Sequence, residues 1–283
     1  MLGKIIKDRR FLYTILIVVI IVPYLYPFDL PLAEPTEVRS IFEYIDEDVV
    51  KENKPVIIAM DFDPSTKGEC QPMAEALLRH CFMRNIRVYV TTFLPSGIGL
   101  AKKILDDVAK EMGKKELVDY VFLGFKPAYV QVILNMGKDF EAGYPTDANG
   151  RDIGQIPAME GVRNFDDIGL TISISGSVIP EIWIAYAYQK YGAKIAVGTT
   201  AVSATTYYPY FQAGQIKGFL PGISGAGAYE QMIVSLGKKL DIPIKRGDAT
   251  ASTSSQAVAH IVIILFIIIG NISFFVSRAK RVA

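Results

Sequence analysis

Apolar residues are spread unevenly along the 283-residue chain. Phe11 to Phe28 and Ala257 to Ser277 carry no charge over 18 and 21 residues. Between them, short apolar runs alternate with amphipathic stretches. A helix needs about 20 apolar residues to cross the hydrocarbon core of a bilayer, so each end stretch predicts a transmembrane helix, over 11–28 and 257–277. Pro23 and Pro27 would end the first near its outer edge, where Tyr24 and Tyr26 suit the headgroup level. The competing reading of that stretch is a cleaved signal peptide whose basic start is Lys4, Lys7, Arg9 and Arg10. No small-x-small cleavage pattern follows at once, which favours a retained helix.

The middle of the chain predicts an α/β domain. Thr36 to Asn53 places Val38, Ile41, Tyr44, Ile45 and Val49 at helical spacing behind a Thr cap. This helix is expected as an amphipathic stalk within 29–54. Pro55 to Met60 is a short continuous apolar run, the pattern of a strand buried on both faces. Helices are then expected over 72–85, 97–112, 127–136, 178–191, 207–212 and 224–236. Strands are expected over 87–93, 118–125, 168–175, 194–200 and 215–220. Strands separated by helices imply parallel pairing through crossovers. The predicted fold is a Rossmann-like α/β domain over 55–240, a mostly parallel sheet with helices on both faces, flanked by the two transmembrane helices. Residues 137–167 interrupt the rhythm with glycines and prolines and are expected as a loop insertion or lid. Residues 241–256 read as a polar linker.

Composition narrows the function classes. Hydrophobic residues make up 51% and charged residues 21%, with mean hydropathy +0.28, which excludes a disordered chain. The net charge of +1 gives no basic excess for nucleic acid. Two Cys and two His exclude a disulfide-rich scaffold and a four-Cys zinc site. The first ten residues and the tail 278–283 each carry +3, leaving −5 on the segment between the apolar stretches. The positive-inside rule then puts both tails in the cytoplasm and the domain outside the cell membrane, as a two-pass protein. Within the second span, His260 is expected near the interface and Asn271 to bond across to another helix.

Candidate chemistry sits at the carboxyl ends of the predicted strands, where open parallel sheets bind ligands. Reading those ends gives Asp61 and Asp63, Thr91 and Thr92, Lys126, Ser175 and Ser177, and Thr199 and Thr200 as ligand-binding candidates. The alternative is that these positions are polar because chains turn there. Asp63-Pro64-Ser65-Thr66 is itself a turn signal, with Asp capping through its side chain.

A buried strand ending in Asp61-Phe62-Asp63 resembles the first motif of the haloacid-dehalogenase-like phosphohydrolases. The resemblance implies Asp61 as nucleophile, Asp63 as acid/base, Mg²⁺ alongside, Thr91 or Thr92 as the second-motif hydroxyl, and Lys126 as the lysine. The chain departs from that pattern at two places. Asp166-Asp167 precedes a strand where the family's acidic pair follows one, and Ser65 stands where the family has Thr or Val.

Other features read more plainly. Gly222-Ile-Ser-Gly225-Ala-Gly227 opens a helix without the Lys-Ser/Thr of a phosphate loop and is expected to serve close packing. Cys70 and Cys81 are expected as unpaired thiols. Trp183 and Tyr186 are expected in the core, whereas Tyr207, Tyr208, Tyr210 and Phe211 are expected as an exposed interface.

The expectation for function is a membrane-anchored binding or scaffold subunit of a larger membrane assembly, homo-oligomeric or with other membrane subunits. It touches the lipid bilayer and no nucleic acid, and its cleft is expected to hold a small polar ligand or to be vestigial. The alternatives are a membrane-tethered, Mg²⁺-dependent phosphohydrolase on Asp61 and Asp63, and a ligand sensor that signals to a separate effector.

Overall fold

The computed structural model describes residues 9–26, 34–244 and 247–282. It divides into two compact units, Ala33–Ala249, and Met1–Leu32 with Thr250–Ala283. The expected basic residues Lys4 and Lys7, the end of the first span at Pro27 and Phe28, and the start of the stalk lie outside the described residues.

The first unit is built on a six-stranded, all-parallel sheet. Its strands are β1 (Val56–Asp61), β2 (Val88–Thr92), β3 (Tyr120–Phe125), β4 (Leu170–Ser175), β5 (Ile195–Thr199) and β6 (Phe219–Pro221). They run in the order β3-β2-β1-β4-β5-β6. Every residue of β1, β2, β4 and β5 is buried, as expected for parallel strands covered on both faces. Side chains alternate between two core layers. Val56, Ile58 and Met60 face one, and Ile57 and Ala59 face the other.

The first layer is covered by three helices and a compound one. α2 (Thr36–Glu43) continues through a π-helical segment, Tyr44–Val49, and a last turn, Val50–Glu52. α3 (Lys67–Met83), α4 (Ile98–Glu111) and α8 (Gly222–Leu240) complete the layer. The expected stalk is therefore part of the domain: Val38, Ile41, Ile45 and Val49 are buried in its core. Its apolar stripe covers the sheet. Pro35, not Thr36, precedes the first helical turn, and no side chain caps it.

The opposite layer carries α5 (Tyr129–Met136), α6 (Ile179–Trp183), extended by a π-helical segment Ile184–Tyr188 and the turn Gln189–Tyr191, and α7 (Tyr208–Gln212). Residues 137–167 pack here too. Phe140, Tyr144, Ile153, Ile156, Met159 and Phe165 are all buried. The topology explains this segment. β3 is at the sheet edge and β4 lies beside β1, so the chain must cross back over two strands at about 4.8 Å spacing. The short helical turns at Phe140–Gly143, Ile153–Gln155, Pro157–Met159 and Phe165–Asp167 roof that crossing.

Several boundaries differ from the sequence reading. α3 begins five residues before Pro72, which lies inside the helix. The first turn forms because the Glu69 and Cys70 amides bond the Thr66 carbonyl and Glu69 is fixed by the Ala201 amide at 2.8 Å. The small residues at the start of α8 serve packing: Gly225, Ala226, Gly227 and Ala228 are buried, and a Cβ on Gly225 would lie 2.5 Å from Pro221 Cδ. Cys70 and Cys81 are free and buried, as expected.

The second unit holds two apolar helices. α1 (Arg9–Leu25) has 17 residues with Pro23 inside. α9 (Asp248–Val282) has 35 residues, and Asp248–Val276 is long and apolar enough to cross a membrane. Among the described residues it is the one helix that meets that length, so the expectation of two full spans is met in part. The expected linker is corrected as well, since residues 248–256 are already the first turns of α9. Thr250 to Ser255 are mostly hydroxyl and small residues, tolerated in a helix that continues without a break. Asn271 and His260 are exposed on α9.

Candidate functional site

The strand order reverses between β1 and β4, and in doubly wound sheets this switch point is where ligands enter, at the carboxyl ends of the strands. The register pairs Asp61 with Ser175 and Ser175 with Thr199. The three side chains fall on the same sheet face, in a row that spans about 10 Å across three strands.

Asp61 anchors the row and is 2% exposed. Its Oδ1 accepts the Phe93 amide at 2.5 Å and the Thr92 hydroxyl at a long 3.5 Å. Its Oδ2 is buried with no hydrogen-bond partner among the described residues. Burial pushes the Asp61 carboxyl up to about 7, against the pull of the two hydrogen bonds from Phe93 and Thr92. Asp61 is thus poised between its acid and carboxylate forms near neutral pH. The Ser175 hydroxyl donates to the Asp61 carbonyl at 2.8 Å, lies 2.9 Å from the Ser177 hydroxyl and accepts the Ser177 amide at 3.1 Å.

More polar atoms on this face are buried without hydrogen-bond partners among the described residues. They are Thr199 Oγ1, Ser173 Oγ, Thr171 Oγ1 and the indole Nε1 of Trp183. Trp183 stacks on Phe93 with ring centroids 5.5 Å apart. Each unsatisfied buried group costs about 1–3 kcal/mol; Asp61 Oδ2 and Thr199 Oγ1 share the row at the strand ends, whereas Ser173 and Thr171 lie two and four residues further down β4.

Other predicted residues are engaged within the fold. Asp63 accepts the Ser65 amide at 2.9 Å and the Ser65 hydroxyl at 2.5 Å. These bonds, the hydroxyl first, hold its carboxyl below the ordinary range. This is the turn role that Asp63-Pro64-Ser65-Thr66 announced. Thr91 donates to the Gly124 carbonyl at 3.1 Å and pairs with the Tyr144 hydroxyl. Lys126 lies over the Tyr144 ring, 5.8 Å from its centroid, a cation–π contact. Thr200 contacts the Ser203 hydroxyl at 3.4 Å. Among the described residues there is no group of three or more His, Cys, Asp or Glu side chains able to hold a metal ion. Asp61 and Asp63 are the pair that would face Mg²⁺, with one oxygen of Asp63 given to Ser65.

The aromatic cluster needs correction. Tyr207 is buried, and its hydroxyl donates to Glu181 at 2.8 Å. Tyr208 is 40% exposed but packs edge-on against Phe219 at 4.8 Å and donates to Glu37 at 3.0 Å. Phe211 also packs on Phe219, and Tyr210 packs on Tyr207. These rings seal the edge of the sheet at β6, because a short edge strand offers little backbone of its own to bury.

Sequence reasoning missed Tyr144 and Phe93. Tyr144 lies in the crossing segment, where no period marks its partner. Phe93 contributes through its amide, which no side-chain pattern reports. The loop after β1, Phe62 to Thr66, contains no glycine, so the glycine-rich dinucleotide fingerprint is absent.

Comparison of the chain with protein families, with curated proteins and with solved structures finds no match. The functional reading rests on the geometry alone.

Proposed function

We propose that the chain is a membrane-anchored binding subunit that holds a small polar ligand at the β1/β4 switch point and works within a larger membrane assembly. The observation that carries this reading is the bare Oδ2 of Asp61, buried at the carboxyl end of β1. Thr199, Ser173 and Trp183 support it with unpartnered groups on the same layer. A ligand with both donors and acceptors would meet Asp61 and Thr199, which share the row at the strand ends. The membrane anchor is α9, with α1 as a second, shorter helix. The positive-inside rule puts the domain outside the cytoplasm. The phosphohydrolase and sensor alternatives have no specific observation in their favour.

The test is gentle extraction of the full chain followed by native mass measurement, on wild type and Asp61→Asn. The expected result is an assembly several times the 31.2 kDa chain mass, carrying a small adduct that the variant loses while the assembly persists. A lone chain without an adduct overturns the proposal.

A further inference from the structure

A second constellation lies on the opposite layer, far in sequence from the strand ends. The π-helical segment after α2 carries Asp46, and such widened turns recur at functional sites. Asp46 binds Arg84 through two parallel bonds, Nε to Oδ1 at 2.5 Å and an Nη to Oδ2 at 2.6 Å. Behind Asp46 stands His80, fully buried, with Nε2 3.3 Å from Asp46 Oδ1 and Nδ1 2.6 Å from the Tyr229 hydroxyl. Phe42 stacks on the His80 ring at 4.5 Å. Tyr229, His80, Asp46 and Arg84 form one continuous chain from the core to the surface. It holds the Arg84 guanidinium in a fixed orientation, with its remaining Nη group uncommitted among the described residues.

This chain ends in a cavity of about 390 Å³, within the size range of small-molecule sites. Phe42, Met232 and Leu236 give it an apolar wall, with Asp46 and Arg84 beside them. Its rim carries Glu43 and Lys239, and neither has an ion-pair partner among the described residues. The remaining rim charges, Arg39 and Glu34, neutralise each other at 2.7 Å. The cavity therefore offers a preorganised cation at Arg84, a free cation at Lys239, a free anion at Glu43 and a short apolar surface.

We infer that this cavity binds a compact zwitterion of amino-acid type, its carboxylate toward Arg84 and Lys239 and its ammonium toward Glu43. An Arg locked by a half-buried carboxylate keeps its fork geometry and loses little freedom on binding a second carboxylate. The paired opposite charges on the rim disfavour a simple anion or a simple amine, because each would leave one rim charge facing its own sign.

The experiment is thermal unfolding of the detergent-solubilised full chain with the twenty standard amino acids supplied singly, and with acetate and ethylamine as half-ligands. One or more amino acids are expected to raise the unfolding midpoint in a saturable way, with acetate and ethylamine giving no saturable shift. Lys239→Met and Glu43→Gln are each expected to weaken binding by about tenfold or more, since each removes a charged partner. Both positions are exposed, so both variants fold. Asp61→Asn is expected to bind as wild type does, which separates this site from the switch-point ligand. If no amino acid shifts the midpoint, if both half-ligands act as strongly as the whole, or if the two rim variants bind unchanged, the inference is overturned.

Discussion

Asp61 accepts the backbone amide of Phe93 with one carboxylate oxygen and keeps the other bare inside the protein. The bond ties the end of β1 to the loop after β2 and fixes the carboxyl at the point where the sheet reverses its order. Phe93 in turn stacks on Trp183, whose indole N–H is likewise unpartnered. One contact thus links the carboxyl, the aromatic layer and the switch point.

The first prediction concerns pH. The Asp61 carboxyl is held at about 7, above its ordinary 3.8. Between those values the folded chain keeps a proton that the unfolded chain has lost. Its contribution to stability is full below about pH 4, falls steadily as pH rises to about 7, and is flat above. Asp61→Asn removes that slope. Relative to wild type the variant is expected to gain stability from pH 5 to 8, by up to about 3 kcal/mol over that range. Unfolding curves collected at several pH values check it, and parallel curves for the two proteins would sink the assignment.

His80 gives a trend of opposite sign. Burial holds its imidazole below the ordinary 6.5, although Asp46 pulls the other way. A group that resists protonation when folded loses stability as pH falls below its unfolded value. In the Asp61→Asn background, stability is expected to drop as pH falls from about 6.5 to 5. Adding His80→Gln should flatten that drop. An unchanged slope in the double variant would show that His80 is not its source.

Gly218 joins α2 to β6. A Cβ built there would lie 2.2 Å from the Glu37 carbonyl oxygen and 2.7 Å from Ile41 Cγ1. The nearer neighbour is backbone and yields little. Gly218→Ala is expected to destabilise the chain by about 3 kcal/mol. Gly68 in the first turn of α3 has nothing within 4 Å, and Gly68→Ala is expected to be neutral or stabilising by up to about 1 kcal/mol. Chemical denaturation of the pair decides it. Equal effects would mean that α2 does not pack on β6 as described.

The two thiols should be inert. Burial pushes Cys70 and Cys81 each up to about 12, and the thiolate is the reactive form. A chromogenic disulfide reagent is expected to label neither in the native chain and both after unfolding. Rapid labelling of either without denaturant would contradict the burial of α3.

Most of the fold was legible because its signals are local. The continuous apolar run at Val56 to Met60 and the β-branched run at Leu170 to Ile174 mark buried strands without any knowledge of their neighbours. The stripe Val38, Ile41, Ile45 and Val49 marks a helix equally well. It does not say which surface the stripe covers, so a core helix reads as a stalk. Pro72 misled because its first-turn preference is local, whereas the bond that fixes the true first turn, Glu69 to the Ala201 amide, spans 132 positions. Asp61 was visible as a strand-end carboxylate. Its difference from Asp63 was not, because Asp61 is buried, and Asp63 only half-buried, once β2 and β4 flank the strand. Tyr229 and Asp46 became partners of His80 only through helix packing, which leaves no pattern along the chain.

The last prediction concerns the path through the membrane. α1 has 17 residues, a rise of about 26 Å, slightly under the roughly 30 Å of a bilayer core. α9 exceeds that length with room to spare. If α1 crosses, a phosphatase reporter that needs disulfides, and so works only outside the cytoplasm, is expected to be active when fused after Asn53. Fused after Ala283 it is expected to be inactive, since the positive-inside rule favours the cytoplasm for a tail that carries Arg278, Lys280 and Arg281. Activity at Ala283 would invert the orientation. Inactivity at Asn53 would mean that α1 does not carry the chain across, and the domain would then have to lie on the cytoplasmic side, against the charge balance of its tails.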